Sequence, residues 1–459
     1  MAGADIRRFS ADQRGATVNS LLVSGTGALA ALADTMILPI IVLAFFVGQL
    51  TTSYTAVGMV AAIASGFWAL ARIPAEVIVS QQRRKMPWAL GASIIRAVAL
   101  GLLAFAALRI EPGSLTGPSP ALLRTFFFCF AVFAIVNGFA SVPMDALVVK
   151  AIPSSARFSV FRQRAIAVLV MSVIGGLIAN RLLGPNGPSL PRQFGLLILA
   201  AAICYAAIAV FITAMNEPQR VAERLDTSPL TAFNQFPHAI RDGQFVRFSF
   251  FRIILSLTAI ADPFFIIYGL STLGVRPTTV GAYVVAMVLG VVIGTPLWTV
   301  LSRSHGHRLV LQCAALLRLL PPLIALVMPQ LIGTTFWQSR FSDMHLNEIV
   351  FGAIFVCLGA SIAGQGLSTH AYLADITVPR FRGAYTGMLN VVLAVVALTP
   401  ILGGVIIGRR GFDALFVLLI ALGIVAVFIS GFLPNTFVRS TQGRASSESL
   451  MESSARAGR

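Results

Sequence analysis

The feature that most limits this chain is an apolar run, long enough to cross a lipid bilayer, that recurs twelve times. The runs lie near residues 17–47, 54–79, 88–108, 121–149, 165–183, 194–215, 248–270, 278–301, 309–328, 347–374, 384–407 and 412–433. A helix needs about 20 apolar residues to span the hydrocarbon core. Inside lipid each backbone N–H and C=O must bond within its own segment, so runs of this length are helices. A membrane β-barrel would show alternating segments of roughly ten residues, and the sequence has none. Only 11% of the 459 residues are charged and mean hydropathy is +0.86, against about 25% charged in soluble domains. The expected fold class is an all-α membrane protein with twelve transmembrane helices.

The net charge of +17 would suit nucleic acid if the basic residues formed a stripe, but they are dispersed over loops. Their distribution reads better as topogenic. With the N-terminus placed inside, 22 of the 34 Lys and Arg residues fall in inside segments and 8 in outside loops. The positive-inside rule then puts both termini in the cytoplasm, the expected location being the inner membrane of a bacterium. The first run is too long for a signal peptide and reads as a retained helix. The expected organisation is an N-tail (1–16, with Arg7, Arg8 and Arg14), a six-helix bundle (17–215), a cytoplasmic linker (216–247, with Glu217, Pro218, Glu223, Asp226, Pro229 and Pro237), a second bundle (248–433) and a Ser-, Gly- and Arg-rich C-tail (434–459) expected to be disordered. Four cysteines, Cys129, Cys204, Cys313 and Cys357, sit widely spaced inside apolar runs and form no metal pattern.

An internal repeat divides the runs into two sets of six. Ala31–Asp34 recurs as Ala259–Asp262, Val57-Gly58 as Val280-Gly281, Arg96 as Arg318, Ala151-Ile152-Pro153 as Thr377-Val378-Pro379, and Gly175-Gly176 as Gly403-Gly404. All five spacings fall between 222 and 228 residues. Five weak matches in one order and near one offset point to two parallel six-helix repeats, an arrangement that places a substrate site at their interface near the midplane.

Charges inside spans cost roughly 2.5–3.5 kcal/mol each on insertion scales, so each calls for a partner or a role. Asp34 and Asp262 fall within the first and seventh runs, beside Pro39 and Pro263, and Gly27 and Ala31 share the helical face of Asp34. A carboxylate in an apolar cavity can load and release a proton near neutral pH, and a helix cap or a structural ion pair is the competing reading. Arg96 and Arg318 lie too deep for easy snorkelling. They are expected either to bind an anionic substrate or to pair with Asp34, Asp145 or Asp262. Asp145 and His370 sit near equivalent repeat positions, and His370 ends a polar stretch, Gly364-Gln-Gly-Leu-Ser-Thr-His370, that suggests a distorted tenth helix. An intramembrane His can shuttle protons or simply bond across helices. Arg72 and Glu76 are spaced as an i,i+4 pair, and Arg252 reads as marking the inner end of the seventh helix.

With the repeat in hand, the sequence resembles the major facilitator superfamily. The segment Thr299-Val-Leu-Ser-Arg303-Ser-His-Gly306-His-Arg308, after Trp298, is similar to the family's loop between helices two and three, with Arg303 where an Asp is usual and Thr299 where a Gly is usual. In the first half only the basic cluster Arg83-Arg84-Lys85 remains of that loop. Arg157 to Arg162 and Arg380-Phe-Arg382-Gly383 resemble its loops four–five and ten–eleven, and Thr399-Pro400-Ile-Leu-Gly403-Gly404 its eleventh helix. Asn137-Gly138 occupies the place of the helix-four Arg of proton-coupled members, and Gly175-Gly176 lacks the Pro of drug antiporters. The resemblance implies the family's fold, secondary active transport, and a gating role for Arg83, Arg84, Lys85, Arg157, Arg303, Gly306, Arg308 and Arg382.

No HExxH, no G-x-x-x-x-G-K-[ST] phosphate loop and no nucleophile elbow occurs, so neither an enzyme nor an ATP-driven pump is expected. The reading is a secondary active transporter of a small solute, proton-coupled, working by alternating access without a cofactor or metal. Its partners are expected to be that solute and the lipid bilayer, with no nucleic acid, and the protein is expected to be a monomer. The rival is a transporter-shaped sensor or membrane assembly partner that moves nothing. The sequence names no substrate.

Overall fold

The computed structural model describes residues 2–110, 119–152, 156–217, 236–335 and 344–435, with the backbone only at 2–16, 236, 344 and 345. The expectations for the side chains of Arg7, Arg8 and Arg14, for Pro153, for the linker from Pro218 through Pro229 and for the tail beyond 435 fall outside them. No strand occurs among the described residues.

Ten apolar helices follow one another: α1 (Thr17–Leu50), α2 (Tyr54–Ser80), α3 (Met86–Leu108), α4 (Pro120–Ala151), α5 (Arg157–Leu183), α6 (Arg192–Ala214), α7 (Gly243–Ser271), α8 (Pro277–His305), α9 (His307–Ile332) and α10 (Leu346–Ile376). The helix of α1 continues upstream to Ala2. A last stretch, Pro379–Ser430, is 52 residues long. At 1.5 Å per residue it would reach about 78 Å, more than twice the roughly 30 Å core, and it does not run straight. Gly411 has φ 80° and ψ 178°, a conformation essentially closed to residues with a Cβ. The chain turns there, giving α11 (379–410) and α12 (412–430). Gly306 makes the same kind of turn, φ 83° and ψ 169°, between α8 and α9.

Prolines break three of the helices that carry intramembrane charge, because proline lacks the N–H and clashes with the preceding turn. In α1 the regular helix ends at Met36, a π-turn covers Pro39–Leu43, and α-helix resumes at Ala44. In α7 a 3-10 turn, Thr258–Ala261, precedes a new helix that begins Asp262-Pro263. α9 is interrupted at Arg318, ahead of Pro321 and Pro322. The tenth helix corrects expectation. It is continuous from Met344 to Ile376, because its polar residues bond without breaking the ladder, as in Thr369 Oγ1 to the Gln365 carbonyl at 2.6 Å.

In the first six helices α3 packs on α4 and α6, α1 on α5 and α6, and α2 on α4; in the second six α8 packs on α10, α9 on α10 and α12, and α7 on α11. Lipid tails are as apolar as the side chains, so close backbone approach at small residues holds such helices together. The two sets meet where α2 crosses α11 and α5 crosses α8. A Cβ at Gly58 would collide with the Pro400 carbonyl, one at Gly404 with Thr55, and one at Gly281 with Asn180, while one at Gly176 would touch Val285. These contacts lie at the end remote from the start of α1. Toward the other end α5 has no buried residue between 161 and 174, although Gly175, Gly176, Ala179 and Leu183 are buried. That stretch of α5 is left uncovered, while α2 still packs on α11 over Trp68–Ser80.

Candidate functional site

Two chambers occupy the middle of the first six helices. The polar one, about 180 Å³, is lined by Asp34, Arg96, Asn137, Asp145 and Arg164 among others. The second, about 260 Å³, is apolar, with Leu38, Pro39, Phe130 and Phe133 on its wall. They meet at Asp34, Trp68 and Asn137. Asp34 stands two residues before the end of the regular helix of α1, so the break at Pro39 places its carboxylate at the junction. It is exposed, yet its exposed surface faces the cavity.

Asp34 has a neutral partner. Tyr205 of α6, wholly buried, donates its hydroxyl to Asp34 Oδ1 at 2.5 Å. The guanidinium of Arg96 lies 4.5 Å from the centre of the Tyr205 ring, a cation–π arrangement. Arg96 is 6% exposed and donates to Asn137 Oδ1 at 2.9 Å and Ser93 Oγ at 2.8 Å, while its Nε has no partner. The expected ion pair of Arg96 with a carboxylate is thus replaced by neutral acceptors. Asn137, at the place where the family resemblance leads one to look for an arginine, positions the arginine of α3 instead.

Nearer the open end, Arg72 approaches Asp145 at 3.9 Å and lies 5.0 Å from the centre of the Trp68 ring. The i,i+4 pairing of Arg72 with Glu76 does not form, because Arg72 turns inward to Asp145 while Glu76 is exposed. Arg164 lies against Gly27, where any Cβ would meet its Nε at 2.5 Å.

The second six helices use their charges differently. Asp262 Oδ1 and Arg318 Nη2 are 2.5 Å apart with side chains 9% and 3% exposed, and Arg318 Nε donates to Thr258 Oγ1 at 3.1 Å. This pair is enclosed and away from the two chambers. Arg252 does not mark a helix end. It is buried in α7 and donates to Gln365 Oε1 of α10 at 2.8 Å. His370, exposed toward the gap between the sets, has Arg252 and Arg72 as its charged neighbours.

At the open end Glu217 gathers three elements. It accepts from the backbone N–H of Lys85 at 2.9 Å and of Met86 at 3.1 Å, and from Lys150 Nζ at 2.8 Å. Burial by itself would raise the Glu217 carboxyl, but these donors outweigh it and hold the group below the usual range. Burial and the nearby Lys150 push the Lys85 ammonium down; it bonds the Val79 carbonyl. Arg157 donates to the Val149 carbonyl at 3.1 Å and Arg308 to that of Gly431 at 2.8 Å, satisfying the free acceptors of helix ends. Arg83, Arg84, Arg303 and Arg382 are exposed.

Tyr205 and Arg164 are the site residues that sequence reasoning missed. Nothing local distinguishes a tyrosine in an apolar helix from core, whereas the spacing of Arg164, seven residues into α5, could have signalled an intramembrane charge.

The sequence model of the Major Facilitator Superfamily matches residues 253–452. The fold is similar to that of a D-xylose–proton symporter, with a TM-score of 0.66 and 14% identity over 92% of this chain and 98% of that one. The second half of the chain thus carries the sequence pattern of the major facilitator superfamily. The fold is also similar to that of a bacterial homologue of the human lysosomal transporter Spinster (TM-score 0.64, 13% identity, 92% and 98% covered) and the nucleoside transporter NupG (0.61, 13%, 90% and 98%). At these identities the likeness concerns the fold alone. No curated protein sequence matches the chain.

Proposed function

We propose that the transporter carries a small solute across the bacterial inner membrane by alternating access, with both termini cytoplasmic, and that Asp34 couples the movement to protons. The observation that supports this reading is the setting of Asp34: mid-span, facing both chambers, and bonded to a neutral hydroxyl. A carboxylate held that way can gain or lose a proton without abandoning an ion pair, which Asp262 cannot. Asp145, His370 and Arg96 are the remaining candidates for coupling or substrate contact. The uncovered stretch of α5 toward the end where α1 begins, with contacts between the sets at the other end, supports alternating access.

The test is transport in proteoliposomes with a solute found by uptake screening. Asp34→Asn is expected to abolish accumulation against a gradient, by at least tenfold, while exchange across equal concentrations continues. Accumulation at the wild-type rate would make the carboxylate structural. Failure of the wild-type protein to move any solute would favour the sensor reading instead.

A further inference from the structure

The transport reading leaves the chemical class of the solute open, and the balance of charge along the cavity addresses it. The first six helices put Arg96 and Arg164 on the wall of the polar chamber and Arg72 beside it, 3.9 Å from Asp145, against two carboxylates on that wall, Asp34 and Asp145. Across the gap α7 and α10 add Arg252 and His370, while the Asp262 carboxylate of α7 is held by Arg318. Glu76 lies one turn beyond Arg72 toward the mouth, exposed. The guanidiniums are also under-bonded. Arg96, 6% exposed, and Arg252, 8% exposed, have neutral partners and an unpartnered Nε each. Arg164 lines the polar chamber with no hydrogen bond among the described residues; Asp145 is its charged neighbour. Its approach to α1 exists because residue 27 is glycine: a Cβ there would displace the guanidinium. The α1–α5 packing thus holds an arginine in the polar chamber with its donors unspent.

Uncompensated charge at membrane depth is costly, and a guanidinium with free N–H groups matches the two oxygens of a carboxylate or phosphate. We propose that the transporter's substrate is a small organic anion whose carboxylate or phosphate is anchored by Arg164, with Arg96 deeper in the same chamber. The inference rests on the transport reading and adds its substrate class.

The test is ligand-dependent thermal stabilisation of the purified, detergent-solubilised full chain. The probes are lactate, succinate, inorganic phosphate and glycerol 3-phosphate, set against glucose, uridine and choline. At least one of the anions is expected to raise the Tm by several degrees, and the carboxylate and phosphate arms tell which oxyanion is preferred. Arg164→Gln is expected to weaken that anion's half-saturation at least tenfold, and Arg164→Lys, which keeps the charge but loses the fork, to lie between. A ligand-free Tm for each variant close to wild type separates lost binding from lost folding. Should Arg164→Gln unfold, the same titration on Arg164→Lys decides. Stabilisation by the neutral or cationic probes alone, by none of the probes, or undiminished anion binding in the Arg164 variants would overturn the proposal. Loss of accumulation in Asp34→Asn together with a preference for neutral probes would overturn the substrate class and leave proton-coupled transport standing.

Discussion

Asp34 and Asp262 occupy matching places in the sequence and end in opposite environments. Asp34 faces open space and bonds a tyrosine; Asp262 faces an arginine and is enclosed. Removing one partner of a buried ion pair strands the other charge, at a cost of about 3–5 kcal/mol, whereas replacing both with apolar residues is often neutral. Arg318→Ala is therefore expected to destabilise the protein by about that amount, and the double variant Asp262→Leu with Arg318→Leu to recover most of it. Thermal unfolding in detergent reads the difference. Equal losses in the single and double variants would show that the two residues do not act as a unit.

Among the elements, the ends of α4 and α6 and the start of α3 converge on Glu217, a residue that the sequence shows only as the first charged position after an apolar run. Its folded-state carboxyl lies below the ordinary value near 4.3, so the ionised form contributes stability that is complete above that value. The contribution fades as pH falls through the lower folded-state value. Glu217→Gln is expected to lower Tm by a few degrees at pH 7 and to make no difference in acid below both values. A Tm deficit that stays the same however far the pH is lowered would assign the loss to packing instead of charge. The breaks in α1 and α7 were legible beforehand at Pro39 and Pro263, because proline acts on its own backbone. The continuity of α10 was not, since Gly364 and Gly366 weaken a helix only when nothing packs around them.

For the whole molecule, the four glycines at the α2–α11 and α5–α8 crossings belong to the short motifs whose spacing first suggested two sets. Their function depends on what faces them. Gly281 lies against the backbone of Asn180, which cannot rotate away as a side chain would. Gly281→Val is expected to wedge that end apart. Spin labels at Thr52 and Thr272, in exposed loops at that end, should show a longer mean separation by pulsed electron resonance. An unchanged distance distribution would mean that the crossing yields without opening.

What the sequence by itself determined is whatever a segment can settle alone. Each apolar run satisfies its own hydrogen bonds and meets lipid on its own, so the class, the number and order of spans and the proline breaks could be read directly, and so could the family likeness carried by Gly306, Arg308 and Pro400. Which charge meets which partner could not. Tyr205 reaches Asp34 across 171 positions and Asn137 reaches Arg96 across 41, and no local preference links them. Those pairings follow from how each helix is rotated about its axis. Rotation is decided by the packing of small residues such as Gly27 and Gly138 against neighbouring helices. The tertiary structure alone therefore settled that one matched aspartate lines a cavity while the other is locked in an ion pair.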